Sequence, residues 1–373
     1  MIRPTTARID LDALKSNYRH IVDFLAHEQP THPPGVVAVV KANAYGHGAV
    51  QVARALEDAG ATLLACADIE EGAVLRAAGV RADILVFGAL SVSDLDGLFD
   101  CSLIPTISTP GAAQAVQAAA ARYSRTLRYH LKIDTGMNRL GFRFDNIRRT
   151  LPGLLASENL HLEGVYTHFA TADLPDSPLF EQQRVRFDRA VADVERLGGT
   201  PRYRHASNSA ALLRDSRVWY DLVRPGLLLY GIVPPPLAST LPLAPVMALV
   251  SRVVAVKGMR SGDVTGYGGR FLAERPTTLA IVPAGYADGL DLRLAGRGVV
   301  LIRGRRAPIV GSVCMDMLMA DVTGLDVSPG DEVVIIGAQG SDRIDAREMA
   351  ASVGTIPWEV VCRVGTRIER VYG

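Results

Sequence analysis

Short apolar runs rich in β-branched residues alternate with stretches of helical spacing over the first two thirds of the chain. The runs are "GVVAVV" from residue 35, "TLLACAD" from 62, "DILVFGAL" from 83, "LIPTIS" from 103, "LRYHLKID" from 127, "LEGVYTHF" from 162, "YRHAS" from 203 and "DLVRPG" from 221. Continuous apolar runs of this length predict strands buried on both faces. Between them, Ala49, Val52, Ala53 and Leu56 share one helix face, as do Phe187, Ala190, Val191 and Val194. Eight strands with intervening helices predict an α/β fold whose N-terminal part is a (β/α)8 TIM-type barrel rather than an open sheet. Near Pro234–Pro236 the texture changes. "PPPLASTLPLAP" is too rich in proline for a helix or a central strand and reads as an interdomain crossing. Beyond it, "ALVSRVVAVKGM", "TTLAIVPAGYADG", "GVVLIRGRRAPIVGSVCMDMLMADV" and "GDEVVIIG" are strand-like and separated by glycine-rich turns. They predict a C-terminal, mostly β domain, so the expected division is 1–240 and 241–373.

In such a barrel, reactive side chains stand at the carboxyl ends of the strands, on one rim. The polar residues that end the runs are Lys41, Lys132 and Asp134, His168, Ser207, Asn208 and Ser209, and Arg224. Each alone reads as structural; five strand ends carrying them on one rim read as a site. An amine at a partly apolar strand end, with hydroxyls, small residues and an arginine nearby, suits pyridoxal 5'-phosphate. Lysine attacks the cofactor only as the neutral amine, which burial favours. Hydroxyls of Tyr45 and Ser209 and backbone N–H groups around Gly226 and Leu227 are candidate phosphate donors, glycine permitting close approach. Arg224 is placed to face the pyridine nitrogen. A guanidinium keeps its proton, so that nitrogen would stay largely unprotonated, which favours prompt reprotonation of the α-carbon over transamination.

Composition narrows the alternatives. With 373 residues and a formal charge of +1, bulk electrostatics gives no reason to expect nucleic acid or an anionic membrane as partner. No apolar run approaches the roughly 20 residues of a spanning helix, and no leader pattern opens the chain. Cys66, Cys101, Cys314 and Cys362 form no C-x-x-C pair, so a cytoplasmic protein is expected. "GHGAVQ" around His47 lacks the third glycine of a nucleotide loop, and the histidines of "HEQPTH" are mis-spaced for zinc. Cys314 reads as a small packed residue.

Together "VVAVVKANAYGHG", "HLKIDTGMNRLGF", "VYTHFATAD", "HASNSAA", "VRPGLLLYG", "VTGYGGRF", "PAGYADG" and "VGSVCMDM" resemble the alanine racemase family, in order, from about Arg8 to Tyr372. The resemblance implies that Lys41 is the Schiff-base lysine and the base for the D-enantiomer. It implies that Tyr267 of "TGYGG" is the opposite base, for the L-enantiomer, reaching the lysine from a partner subunit of a homodimer. His168, with Arg224 behind it, would polarise that phenol. Arg139 would bind the substrate carboxylate or the cofactor phenolate oxygen, and the Met315 backbone N–H would bind the carboxylate. Lys132 matches a lysine often carbamylated in the family, whose anion would orient Arg139, and Tyr286 would limit side-chain size. One position departs from the family. Where it commonly has tyrosine on the phosphate, "IPWEVVC" places Trp358, which offers one N–H and a larger ring. Three rival readings use the same barrel: a serine or broad-specificity racemase, a decarboxylase, and a non-catalytic pyridoxal phosphate carrier, which has no use for a second domain.

Overall fold

The computed structural model describes residues 4–90 and 94–373. Eight parallel strands close into a ring in the order Gly35–Val39, Leu63–Cys66, Asp83–Val86, Ile104–Ile107, Leu127–Asp134, Leu160–Tyr166, Tyr203–Asn208 and Leu222–Arg224. Two pairings close it: Leu222–Val223 return to Gly35–Val36, and Thr106–Ile107 pair with His130–Leu131. All eight apolar runs of the sequence supply one of these strands. The predicted helix faces are buried in Ala49–Asp58 and Leu179–Arg196, save for Ala49, which is half-buried.

Alternation along a strand decides which residues face the barrel axis. Val37, Ala65, Leu85, Ile104 and Leu222 form a small apolar cluster of their own, while Val36, Ala38 and Val40 join the large core beneath the helices. Val37, Val39 and Lys41 therefore fall in one inward row. Lys41 ends a core strand because its row opens at the barrel mouth.

The second sheet runs Ala255–Met259, Thr277–Val282, Leu318–Asp321, Arg305–Val310, Val299–Ile302, Glu332–Gln339, Met247–Arg252, Thr6–Ile9 and Glu369–Tyr372. Thr6–Ile9, although early in the chain, belongs to this sheet, antiparallel to Met247–Arg252 and parallel to Glu369–Tyr372. The C-terminal part also carries two helices that its glycine-rich texture hid, Ala346–Val353 and Pro357–Cys362. The second of them packs on the barrel: a Cβ at Gly46 would stand 2.3 Å from the Val361 carbonyl. No helix among the described residues is long and apolar enough to cross a membrane.

Candidate active site

The chain turns left-handed as soon as it leaves the first barrel strand. Ala42, Asn43, Ala44 and Tyr45 have φ of 54°, 52°, 55° and 51°, and Gly46 follows at 81°. A non-glycine residue in that region costs on the order of 1–2 kcal/mol, so four in succession need support. Glu71 supplies it: Oε1 accepts from the N–H of Ala42 (2.6 Å) and Asn43 (3.3 Å), and Oε2 from that of Ala67 (2.8 Å). From below, His47 Nδ1 donates to the carbonyls of Ala44 and Tyr45. Burial holds that ring neutral by lowering its pKa to about 4, so His47 is a brace for the turn. Nothing in the sequence marked Glu71. Its replacement by alanine strands three N–H groups and is expected to lower stability by about 2 kcal/mol; an unchanged urea midpoint would remove the clamp.

Lys41 opens onto a cleft of about 480 Å³ whose walls include Tyr45, Lys132, Arg139, His168, Asn208, Ser209, Arg224, Gly226, Leu227 and Trp358. Eleven of the sequence-derived candidates, Lys41 included, thus meet in one place. The cleft is cationic. Burial first, then the charge of Arg139, lowers the pKa of Lys41. Lys132 is only 8 % exposed, with Nζ 4.3 Å from the centre of the Tyr166 ring. Burial, then Arg224 and Arg139, hold its amine far below the usual lysine range. His168 is likewise kept neutral, by burial and then by Lys132. Arg224 donates from Nη2 to the carbonyls of Thr167 (2.7 Å) and Ala206 (3.0 Å), with His168 Nδ1 at 3.4 Å. Burial lowers its pKa only to about 10, so it stays charged at neutral pH.

The same cleft holds an anion cradle. A Cβ at Gly226 would lie 2.5 Å from the Tyr45 hydroxyl, so only glycine lets that hydroxyl in. Ser209 Oγ accepts from the N–H of Gly226 (3.0 Å) and of Leu228 (3.4 Å), which leaves its own proton to donate. Leu227 begins the 3₁₀ turn Leu227–Tyr230, whose first N–H groups have no acceptor within the turn. Asn208 uses its oxygen on the N–H of Ala211 (2.9 Å) and faces the cleft with its amide NH₂. Trp358 reaches the cleft from the C-terminal helix, which also brings in Cys362, a wall residue the sequence reading passed over.

Five candidates are elsewhere. Asp134 accepts from the N–H of Gly136 (3.0 Å) and Ser207 donates to the Val218 carbonyl (2.7 Å), both off the cleft. The other three lie on the C-terminal domain. Tyr267 is 79 % exposed, Met315 52 % and Tyr286 41 %, and none of them lines the cleft. They are held near one another on the C-terminal domain. Ser312 Oγ donates to the Tyr267 carbonyl, and the N–H groups of Tyr286 and Ala287 donate to the carbonyls of Cys314 and Met315.

A barrel carrying a desolvated lysine among cations and an anion cradle, backed by a β domain, defines a class of enzyme that handles small anionic substrates. The sequence pattern of the alanine racemase N-terminal domain matches residues 9–234, and that of its C-terminal domain matches residues 246–372. The chain belongs to the alanine racemase family and is an isomerase. It is 42 % identical to an alanine racemase of Carboxydothermus hydrogenoformans over the whole of both chains. The solved alanine racemase of Streptomyces lavendulae superposes with a TM-score of 0.93 at 36 % identity, covering 100 % of this chain and 97 % of that one. The alanine racemase of Bartonella henselae, solved with covalently bound pyridoxal phosphate, superposes at 0.88 with 28 % identity and 99 % of both chains covered. The match over 246–372 argues against the carrier reading, which needs the barrel alone.

Proposed function

We propose that the chain interconverts L- and D-alanine as a homodimer, with pyridoxal 5'-phosphate held in the cleft and one base on each face of the substrate. The observation that carries this is Lys41, a desolvated amine at the end of an inward strand row, in the same cleft as the anion cradle. In this reading residues 1–240, apart from the strand Thr6–Ile9 that joins the second sheet, hold the cofactor, and 241–373 furnish the second base and the Trp358 wall. The unpaired cysteines suit a reducing, cytoplasmic setting.

Tyr45, Ser209, Asn208 and the N–H of Leu227 would hold the phosphate, with Gly226, whose own N–H is taken by Ser209, allowing the close approach and the Trp358 ring against it. The cofactor, bound through Lys41, would supply an electron-withdrawing ring that acidifies the α-carbon. Arg224 would donate to its ring nitrogen and, keeping its own proton, leave that nitrogen unprotonated. The neutral amine of Lys41 would hold or accept the α-proton on one face, for the D-enantiomer. Tyr267 of the partner subunit would do so on the other, for the L-enantiomer, with the neutral His168 imidazole polarising its phenol. Two bases on opposite faces are what inversion at one carbon requires. Arg139 and the Met315 N–H would bind the carboxylate, and Tyr286 would narrow the mouth. The three exposed residues of the C-terminal domain support the dimer, since a single chain leaves them with nothing to act on.

Lys132 supports carbamylation: only a neutral amine reacts with carbon dioxide, and the resulting anion would face Arg139 and Arg224. Protein grown with ¹³C-bicarbonate is expected to show a carbamate resonance that Lys132→Ala lacks. Cofactor uptake tests the amine itself. Because the pKa of Lys41 is lowered, apoprotein should bind pyridoxal phosphate faster as pH rises, with a midpoint below the ordinary lysine value of about 10.4. A midpoint at or above that value would contradict a desolvated nucleophile. The activity is tested by turnover of both alanine enantiomers beside serine and lysine. A visible cofactor band without exchange of alanine's α-proton in deuterated water would return the carrier reading.

A further inference from the structure

Below the cleft a line of polar side chains runs through the barrel interior beside its apolar cluster. Arg224 Nη1 lies 2.9 Å from His205 Nδ1, and His205 Nε2 lies 2.8 Å from His130 Nδ1. His130 Nε2 faces Glu163 Oε2 at 3.7 Å. Glu163 in turn accepts from Arg128 (2.8 Å), which also holds Asp83 (2.9 Å) at the amino-terminal ends of two strands. A line of contacts therefore crosses the barrel from the catalytic rim to the opposite one. The packing around it is close. The Tyr166 ring stacks on His205 at 4.7 Å, and a Cβ at Gly164 would stand 2.8 Å from the His130 ring.

Only one arrangement of protons satisfies these distances. A guanidinium has donors and no acceptor, so His205 Nδ1 accepts. Burial disfavours the charged form of both imidazoles, so His205 carries its single proton on Nε2 and donates it to His130. His130 Nδ1 must then accept, which puts its proton on Nε2, toward the Glu163 carboxylate. At the near end the Arg224 donors are divided. Two Nη2 hydrogens serve carbonyls and one Nη1 hydrogen serves His205. The second Nη1 hydrogen and Nε–H have no partner among the described residues.

We propose that His205 and His130 are positioning residues for Arg224, a one-directional chain whose far end faces the Glu163 carboxylate, beyond hydrogen-bond reach, and that fixes which guanidinium hydrogens point into the cleft. The proposal rests on the reading that Arg224 serves the cofactor's ring nitrogen, and it can be tested apart from that reading. In apoprotein labelled with ¹⁵N-histidine, both rings are expected as Nε2–H tautomers at neutral pH. An Nδ1–H tautomer or a doubly protonated ring at either position would overturn the chain without any variant being made. His130→Phe keeps a ring but removes the acceptor. It is expected to mix the tautomers of His205 and lower holoenzyme kcat about tenfold, with KM within about twofold, as a misplaced catalytic group does. His130→Asn, whose amide oxygen stands near the place of Nδ1, is expected to restore most of that loss. A lower melting temperature for His130→Phe with wild-type kcat and an unmixed His205 tautomer would overturn the proposal. The expected tautomers in a protein that racemises nothing would instead overturn the functional reading and leave the histidine chain standing.

Discussion

Lys41→Ala is expected to remove the visible band of bound pyridoxal phosphate and to lower racemisation by at least about a thousandfold, within the range of a lost acid–base group. The side chain is half-buried and makes no side-chain hydrogen bond among the described residues, so the fold should be unaffected and the far-ultraviolet spectrum unchanged. Lys41→Arg sharpens the test. It keeps a positive charge at the barrel mouth but supplies no nucleophile, so it should lose the band as completely. Lys132 is the one rival amine in the cleft, and burial lowers its pKa too. Its position argues against it: it lies beneath the Tyr166 ring, whereas Lys41 ends its row at the mouth. A band that survives Lys41→Ala and disappears in Lys132→Ala would exchange the two roles.

The barrel was legible because strands covered on both faces leave continuous apolar runs, and all eight such runs became ring strands. The cleft was legible for the same reason. Once the strands are located, the polar residues that end them must meet on one rim, and Lys41, Lys132, His168, Ser209 and Arg224 do. Less local features left no such trace. Thr6–Ile9 pairs with Met247–Arg252 across some 240 positions, and a four-residue strand has no pattern that names its partner. The left-handed turn after Lys41 is built from alanine, asparagine and tyrosine, with glycine only at its end. Composition therefore gives no sign of it; the constraint comes from Glu71, 29 positions away from Ala42. His205 and His130 looked like ordinary interior positions of strands. Only side-chain geometry reveals that they are joined, and joined to Arg224.

Tyr267→Phe is expected to keep the cofactor band and to lose racemisation by roughly a thousandfold, because the acid–base group on one face is gone while the amine on the other remains. The loss should be lopsided. In deuterated water D-alanine should still exchange its α-proton, through Lys41, and recover its own configuration; L-alanine should barely exchange. An unchanged rate in Tyr267→Phe would end the two-base mechanism. The exposure of this tyrosine, 79 % in the single chain, makes a further demand. If it acts across a subunit boundary, two inactive variants must repair each other. Mixing Lys41→Ala with Tyr267→Phe under conditions of subunit exchange gives hybrids in about half the dimers, each with one of its two sites intact. Recovery of about a quarter of wild-type activity is the expected result for a closed two-fold assembly. No recovery, with exchange shown by mass spectrometry, would mean that amine and phenol belong to one chain. The exposed patch of Tyr267, Tyr286 and Met315 would then need another explanation.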